Sequence, residues 1–133
     1  MSVHELAVRI YYDDTDAGGI VYYANYLRYA ERARTEMLRE AGYHHAINLA
    51  ENGVGFVVGA VNVRYLKPAK LDDFLMIRSK ILRLGGASFD VEQDVWRDEE
   101  KLVEMKVTLV CIDRNFKAVR LPPVIGELFS KGT

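Results

Sequence analysis

The sequence predicts a single α+β domain, residues 1–133, in which an antiparallel sheet of about five strands wraps around one long helix. Three observations carry that prediction. A stretch from Tyr22 or Asn25 to Ala41 repeats apolar residues at three- and four-residue steps. Four later stretches alternate apolar and polar residues with a period of two, and a run rich in Val, Ile and Tyr precedes the helix. A sheet with one apolar face and a helix with one apolar stripe have a simple solution in covering each other.

Taken in order, residues 5–12 read as a first strand, and the Asp and Gly content of residues 13–19 marks a loop. Tyr26, Ala30, Ala33, Met37 and Ala41 form the helical stripe, with Leu27 and Leu38 beside it. Arg28, Arg32, Glu36 and Arg39 lie off it, and Arg32 with Glu36 has the spacing of an i,i+4 ion pair. Asn25 or Thr15 caps the start, and Gly42 ends the helix. A short helix is expected at residues 46–51, before Asn52 and Gly53. Residues 56–66 then alternate, with Val57, Val61, Val63 and Tyr65 on one parity and Asn62 and Arg64 on the other, until Pro68. Phe74–Leu84 and Ser88–Arg97 flank Gly85-Gly86, a hairpin turn. Asp98, Glu99 and Glu100 form the next turn, and residues 102–113 alternate again. These four strands are expected to run as a meander. Pro122-Pro123 closes the sheet, and residues 124–129 form a helical tail.

Composition narrows the function classes. Half of the 133 residues are apolar, enough for one core. Eighteen basic residues against nineteen acidic ones give a formal charge of −1, which lacks the basic excess of a general nucleic-acid footprint. No apolar stretch reaches the roughly 18 residues of a membrane span, and the first residues lack the charged and apolar regions of a signal peptide. The single Cys111 lies in an apolar run and is expected as a buried free thiol. Together these point to the cytoplasm. His44 and His45 are adjacent, so their side chains diverge, and no metal site is expected.

The chemistry concentrates in residues 13–26, DDTDAGGIVYYANY, which join the first strand to the long helix. A carboxylate in a glycine loop facing the first turn of a helix suits chemistry on a carbonyl. The carboxylate attacks it or activates water, and free helix N–H groups hold the developing oxyanion.

Arg9-Ile10, Thr15-Asp16, Gly19-Ile20-Val21, Tyr26 and Glu31-Arg32-Ala33-Arg34 resemble the signature of the 4-hydroxybenzoyl-CoA thioesterase family. The resemblance is closest to its branch of Tol-Pal-associated acyl-CoA thioesterases, whose pattern the later run Arg64-Tyr65-Leu66-Lys67-Pro68-Ala69 and Asp72-Asp73 also matches. It implies a hotdog fold, a homodimer joined sheet edge to sheet edge that assembles to a homotetramer, and an active site between protomers. It implies that Asp16 is the catalytic carboxylate, as nucleophile or general base, and that backbone N–H groups at the start of the helix hold the thioester oxygen. The substrate is then an acyl-CoA, with coenzyme A as part of the substrate and no cofactor required. The Tol-Pal branch usually carries a histidine seven residues after the aspartate, and this chain has Tyr23 there; the aromatic-benzoyl members resemble this chain at that position.

Under that resemblance Tyr23 joins Asp16 in catalysis, first through its backbone N–H. Gly18 and Gly19 let backbone approach the thioester without a Cβ in the way. Tyr22 and Tyr26 wall the acyl group or pack the helix, and Glu31 is structural, tied to Arg34 or Arg28. Ser88 stands where hotdog proteins contact pantetheine. Arg64 and Lys67, with Lys70, Lys80 and Arg83, are the cations for the coenzyme A phosphates. Asp13 and Asp14 are solvent-facing loop charges. Two other functions fit less of the pattern: a non-hydrolytic module that binds acyl-CoA or acyl carrier protein, and a hotdog dehydratase, which needs a histidine near the loop.

Overall fold

The computed structural model describes residues 3–131. Its elements are β1 (His4–Arg9), α1 (Asn25–Glu40), α2 (His45–Asn52), β2 (Gly55–Tyr65), β3 (Phe74–Leu84), β4 (Ser88–Arg97), β5 (Glu100–Ile112) and α3 (Pro123–Lys131). The five strands form one antiparallel sheet in the order β1-β3-β4-β5-β2, and α1 lies across its apolar face. The α+β architecture is therefore as expected, but the meander is shorter. Only β3, β4 and β5 follow one another; β2 pairs with β5, Tyr65 opposite Val103, while β1 takes the free side of β3. The chain between β1 and β2 thus crosses the whole sheet, and α1 lies on that crossing.

β1 stops at Arg9, short of the expected Tyr12. The Ile10 amide leaves the ladder to reach the Asp73 carbonyl, and a 3-10 turn at Tyr12–Asp14 turns the chain toward the helix. α1 begins at Asn25, with Ala24 as its cap residue and no side-chain cap bond. Thr15 and Asn25 do other work: the Thr15 hydroxyl donates to the Tyr12 carbonyl and the Asn25 amide to the Asp14 carbonyl. Gly42 ends the helix as expected, at φ 96°, a left-handed turn that favours glycine. Glu36 pairs with Arg39 at 3.3 Å, one turn toward the C-terminus, in place of Arg32.

The helix buries Tyr26, Tyr29, Ala30, Ala33, Met37 and Leu38. Its first half packs on Leu75, Ile77, Val95 and Val103, its second on Phe89, Val91, Val107 and Leu109, where Ile125 of α3 closes the end of the core. Ala30 and Ala33 are fully buried, so the helix backbone comes close to the sheet. Gln93, also fully buried on β4, uses that proximity: its amide donates to the Ala30 carbonyl at 2.8 Å and to Ser79 Oγ at 2.9 Å. The opposite face of the sheet carries cross-strand charge pairs such as Lys80–Glu92 and Lys101–Asp94. Cys111 is buried, and burial pushes its thiol above the ordinary value. No described helix is long and apolar enough to cross a membrane.

Phe89 is fully buried and meets the Phe56 ring edge-on at 5.5 Å between centroids. Phe89→Ala is expected to lower unfolding stability by about 3–5 kcal/mol, the range for a buried phenylalanine. Urea denaturation at fixed protein concentration measures it, and a loss below about 1 kcal/mol would show this cluster to be loosely packed.

Candidate active site

The residues between β1 and α1 fold into a small hairpin. Thr15 and Val21 bridge its two arms, the Asp16 amide donates to the Ile20 carbonyl at 2.9 Å, and the Gly19 amide donates to the Asp16 carbonyl at 3.0 Å. Gly19 sits at φ 78°, so the tip needs a residue without a Cβ. Asp16 occupies this tip and is exposed. Its Oδ1 accepts the Gly18 amide at 2.8 Å, the Asx turn common for an aspartate beside glycine. That bond uses one oxygen. Oδ2 has no partner among the described residues, so the carboxylate is oriented by one oxygen and presents the other.

The returning arm leads directly into α1. The Tyr22 amide bonds the Asp14 carbonyl at 3.1 Å and the Asn25 amide bonds the Tyr22 carbonyl at 2.9 Å. Between them, the N–H groups of Tyr23 and Ala24 have no partner among the described residues. They are the unpaired donors expected at a helix start. Asp14 is not a solvent-facing loop charge: its Oδ2 accepts the Tyr11 amide at 2.8 Å and its carbonyl anchors both Tyr22 and Asn25. Asp13 is exposed, as expected.

Beside this arm lies an open groove of about 340 Å³, walled by Ile20, Val21, Tyr23, Tyr26, Tyr65 and Leu66, with Lys67 and Pro68 at its edge. The far wall is held by long-range bonds. The Ala69 amide donates to the Tyr26 hydroxyl at 3.0 Å, the Val21 amide to the Ala69 carbonyl at 2.9 Å, and Arg97 clamps Asp73 at 2.7 Å. Tyr26 is buried and its phenol is raised, mainly by that burial. Tyr23 and Tyr65 stack edge-on at 6.1 Å, and the Tyr65 hydroxyl donates to the Tyr23 carbonyl at 3.3 Å. Tyr22 is exposed, and its hydrogen bond with Tyr23 raises its phenol.

The expected site residues therefore divide. Gly19, Tyr22, Tyr23, Tyr26 and Lys67 gather around the Asp16 loop and the groove, with Lys67 ion-paired to Glu100. Arg64 projects on the charged face of the sheet, beside Asn62, Glu92 and Lys106. Ser88 opens β4 at the opposite end of the sheet, where its hydroxyl accepts from Arg83 at 3.2 Å. Arg83 is itself held by Asp90 at 2.8 Å and Lys80 by Glu92 at 3.3 Å. Glu31 forms no ion pair with either arginine; Arg28 bonds Asn25 and Arg34 reaches Gln93. Tyr65 was absent from the expected set. Its signal is its place on the same parity of β2 as Val61 and Val63.

Comparison with known proteins finds related sequences and structures. The sequence profile of the Thioesterase superfamily matches residues 18–104. An acyl-CoA thioesterase YbgC of Haemophilus influenzae is 40% identical over 123 residues, covering 92% of this chain and 90% of that protein. An acyl-CoA thioester hydrolase YbgC of Escherichia coli is 46% identical over 107 residues, covering 80% and 79%. Among solved structures, a probable thioesterase from Bartonella henselae superposes with a TM-score of 0.87 at 37% identity, over 91% of this chain and all of that one. A 4-hydroxybenzoyl CoA thioesterase solved with 4-hydroxybenzoyl CoA reaches a TM-score of 0.89 at 22% identity, covering 95% and 98%, which speaks to the hotdog fold alone. With a profile match over most of its length and relatives this similar across nearly the whole sequence, the chain belongs to the thioesterase superfamily.

Proposed function

We propose that the protein is an acyl-CoA thioesterase, hydrolysing the thioester to a free acid and coenzyme A. The observation that carries this reading is the Asp16 loop. A carboxylate with one oxygen pinned and one free stands one hairpin arm away from two unpaired amides at a helix start. Oδ2 acts on the thioester carbonyl carbon, directly as nucleophile or through a water molecule as general base. The N–H groups of Tyr23 and Ala24 receive the negative charge that develops on the carbonyl oxygen, favoured by the helix dipole. The thiolate of coenzyme A then leaves and takes up a proton. Where Asp16 has attacked directly, water next hydrolyses the mixed anhydride, releasing the free acid and restoring the carboxylate; where it has acted as base, the proton taken from water is the one returned. The apolar groove bounded by Tyr23, Tyr26 and Tyr65 receives the part of the substrate next to the thioester, with Lys67 at its mouth for a phosphate. The names of the 40–46% identical relatives support the acyl-CoA class.

The working unit in this reading is a dimer joined through β2. This strand is the edge of the sheet beyond β5, eleven residues long, and its apolar Val57, Val58, Val61 and Tyr65 are 42–50% exposed. A long apolar edge invites pairing, and nothing in the described residues covers it. A second copy related by a two-fold axis completes it with an antiparallel strand. Two such dimers form the tetramer, and cytoplasmic localisation fits such an enzyme.

Asp16→Asn is expected to lower hydrolysis by about 10²–10⁴ while a non-hydrolysable thioester analogue still binds, because the amide keeps the shape but not the basicity. Steady-state kinetics and calorimetric binding test it; a native rate would remove Asp16 from the mechanism. Tyr23→Phe is expected to change the rate by less than about tenfold, since the main-chain donor survives. A loss matching that of Asp16→Asn would assign the work to the hydroxyl. Sedimentation at micromolar concentration is expected to give a multiple of the 15.1 kDa chain mass. Val61→Glu, which sets two like charges at diagonal positions across the paired edge, is expected to shift it toward monomer and to lower activity. A native protein that sediments as a monomer would exclude the shared site.

A further inference from the structure

A second cavity, of about 530 Å³, lies between the middle of α1 and the first half of β2. Its polar residues are Glu31, Arg34, Thr35 and His45, and Phe56 and Val58 are among its apolar walls. Arg34 is the anomaly. It is only partly exposed, and burial lowers its guanidinium below the ordinary value. Yet its single hydrogen bond is a long one, Nη1 to Gln93 Oε1 at 3.4 Å, and it has no ion pair among the described residues. The Gln93 Nε2 group is committed to Ala30 and Ser79, which leaves Oε1 as the one acceptor Gln93 offers to Arg34. Glu31, one turn earlier, acts on Arg34 only at a distance. Burial, with Arg39 and Arg34 nearby, holds the His45 imidazole below its usual value. A partly desolvated cation with four unused donors is costly unless something fills the cavity. The planar fork of a guanidinium matches a carboxylate.

On α1, Tyr26 of the groove beside the Asp16 loop and Glu31 of the cavity are only about 7.5 Å apart by helical rise. Along β2, however, the two lie apart within one protomer: the groove adjoins Tyr65, whereas the cavity adjoins Phe56 to Val58, seven to nine residues earlier and so about 25 Å down the strand. Antiparallel pairing of β2 with its copy reverses that relation. For full overlap of Gly55–Tyr65 the two-fold falls at Ala60, and Tyr65 of one copy stands opposite Gly55 of the other, about 4.8 Å across the strand spacing. The groove of each protomer then opens onto the cavity of its partner.

We propose that Arg34 is a specificity residue supplied in trans: it receives a carboxylate at the far end of an acyl group whose thioester is cleaved at the partner's Asp16. The preferred substrates are then monothioesters of dicarboxylic acids. The proposal rests on the thioesterase reading and on β2 pairing. A purely apolar chain leaves the Arg34 donors unmatched in a cavity that water has left, and so binds less well.

The test compares glutaryl-CoA with 5-methylhexanoyl-CoA, which replaces the distal carboxylate by an isopropyl group of similar shape. The native enzyme is expected to favour glutaryl-CoA by about tenfold or more in kcat/KM. Arg34→Met is expected to bring the ratio to about one or below, with the loss for glutaryl-CoA falling on KM, and Arg34→Lys to retain part of the preference. Thermal unfolding separates this from a structural role: Arg34→Met is expected to be no less stable than the native protein, since the charge it removes is unpaired. The trans arrangement is tested by co-expressing Asp16→Asn and Arg34→Met chains with different tags and isolating the mixed dimer. One of its two sites joins a native Asp16 to a native Arg34 across the interface, so the mixed dimer is expected to regain the preference for glutaryl-CoA. A mixed dimer as unselective as Arg34→Met, or a native enzyme with no preference for glutaryl-CoA, overturns the proposal and leaves the thioesterase reading standing. Failure to cleave any acyl-CoA, or full activity in Asp16→Asn, instead overturns that reading.

Discussion

The structure depends on the close seating of α1 against the concave face of the sheet. Ala30 and Ala33 remove the side-chain bulk that would hold the helix away, and both are fully buried. At that separation Gln93 can reach the Ala30 carbonyl from the sheet. A buried amide that finds its partners in only one arrangement fixes how the helix is rotated and how far it is advanced along the sheet. Everything functional follows from that seating. The start of the helix is set beside the Asp16 hairpin, and its middle is set over the cavity near β2.

The crossing of the chain from β1 on one flank to β2 on the other makes the fold economical. The same segment that supplies the helix also supplies the hairpin at its entrance, and β2 emerges on the opposite edge from β1. The loop after β2 returns to the Asp16 hairpin, where Ala69 bonds both Val21 and Tyr26. The groove is therefore built from three sequence regions, near residues 20, 26 and 66, that the topology brings together. Only the first of these regions is continuous in sequence with the carboxylate the groove accompanies.

Much of this was readable from the chain. The bounds of β3 and β4 fell where alternation and Gly85-Gly86 put them, because an element's own pattern records which of its faces is buried. The glycine loop likewise announced a carboxylate at a helix entrance. Strand order was not readable. Alternation in β2 says that one face meets the helix, but it does not name the neighbouring strand, and β5 is 38 residues further on at the closest register pair, Tyr65 with Val103. The same limit hid the surroundings of Arg34. On the helix it was one of several arginines, and only the sheet beneath it, through Gln93, distinguishes it from Arg32 and Arg39 on the exposed side. Ser88 and Arg64 illustrate the converse: their residue types suited the chemistry, but within one protomer their strand and face put them away from the groove.

The Tyr65 hydroxyl that reaches the Tyr23 carbonyl has a consequence for the neighbouring amide. That carbonyl and the Ala24 N–H belong to one planar trans peptide, so fixing the oxygen fixes the direction in which the hydrogen points on the other side. A donor bonded at its carbonyl is also a slightly stronger acid toward its own acceptor. The last residue of the outermost strand thus aims and sharpens a dipole at the head of the helix. Any event that displaces that strand, whether solvent fraying its end or a neighbour settling against it, is transmitted through a single peptide plane to the place where charge would gather.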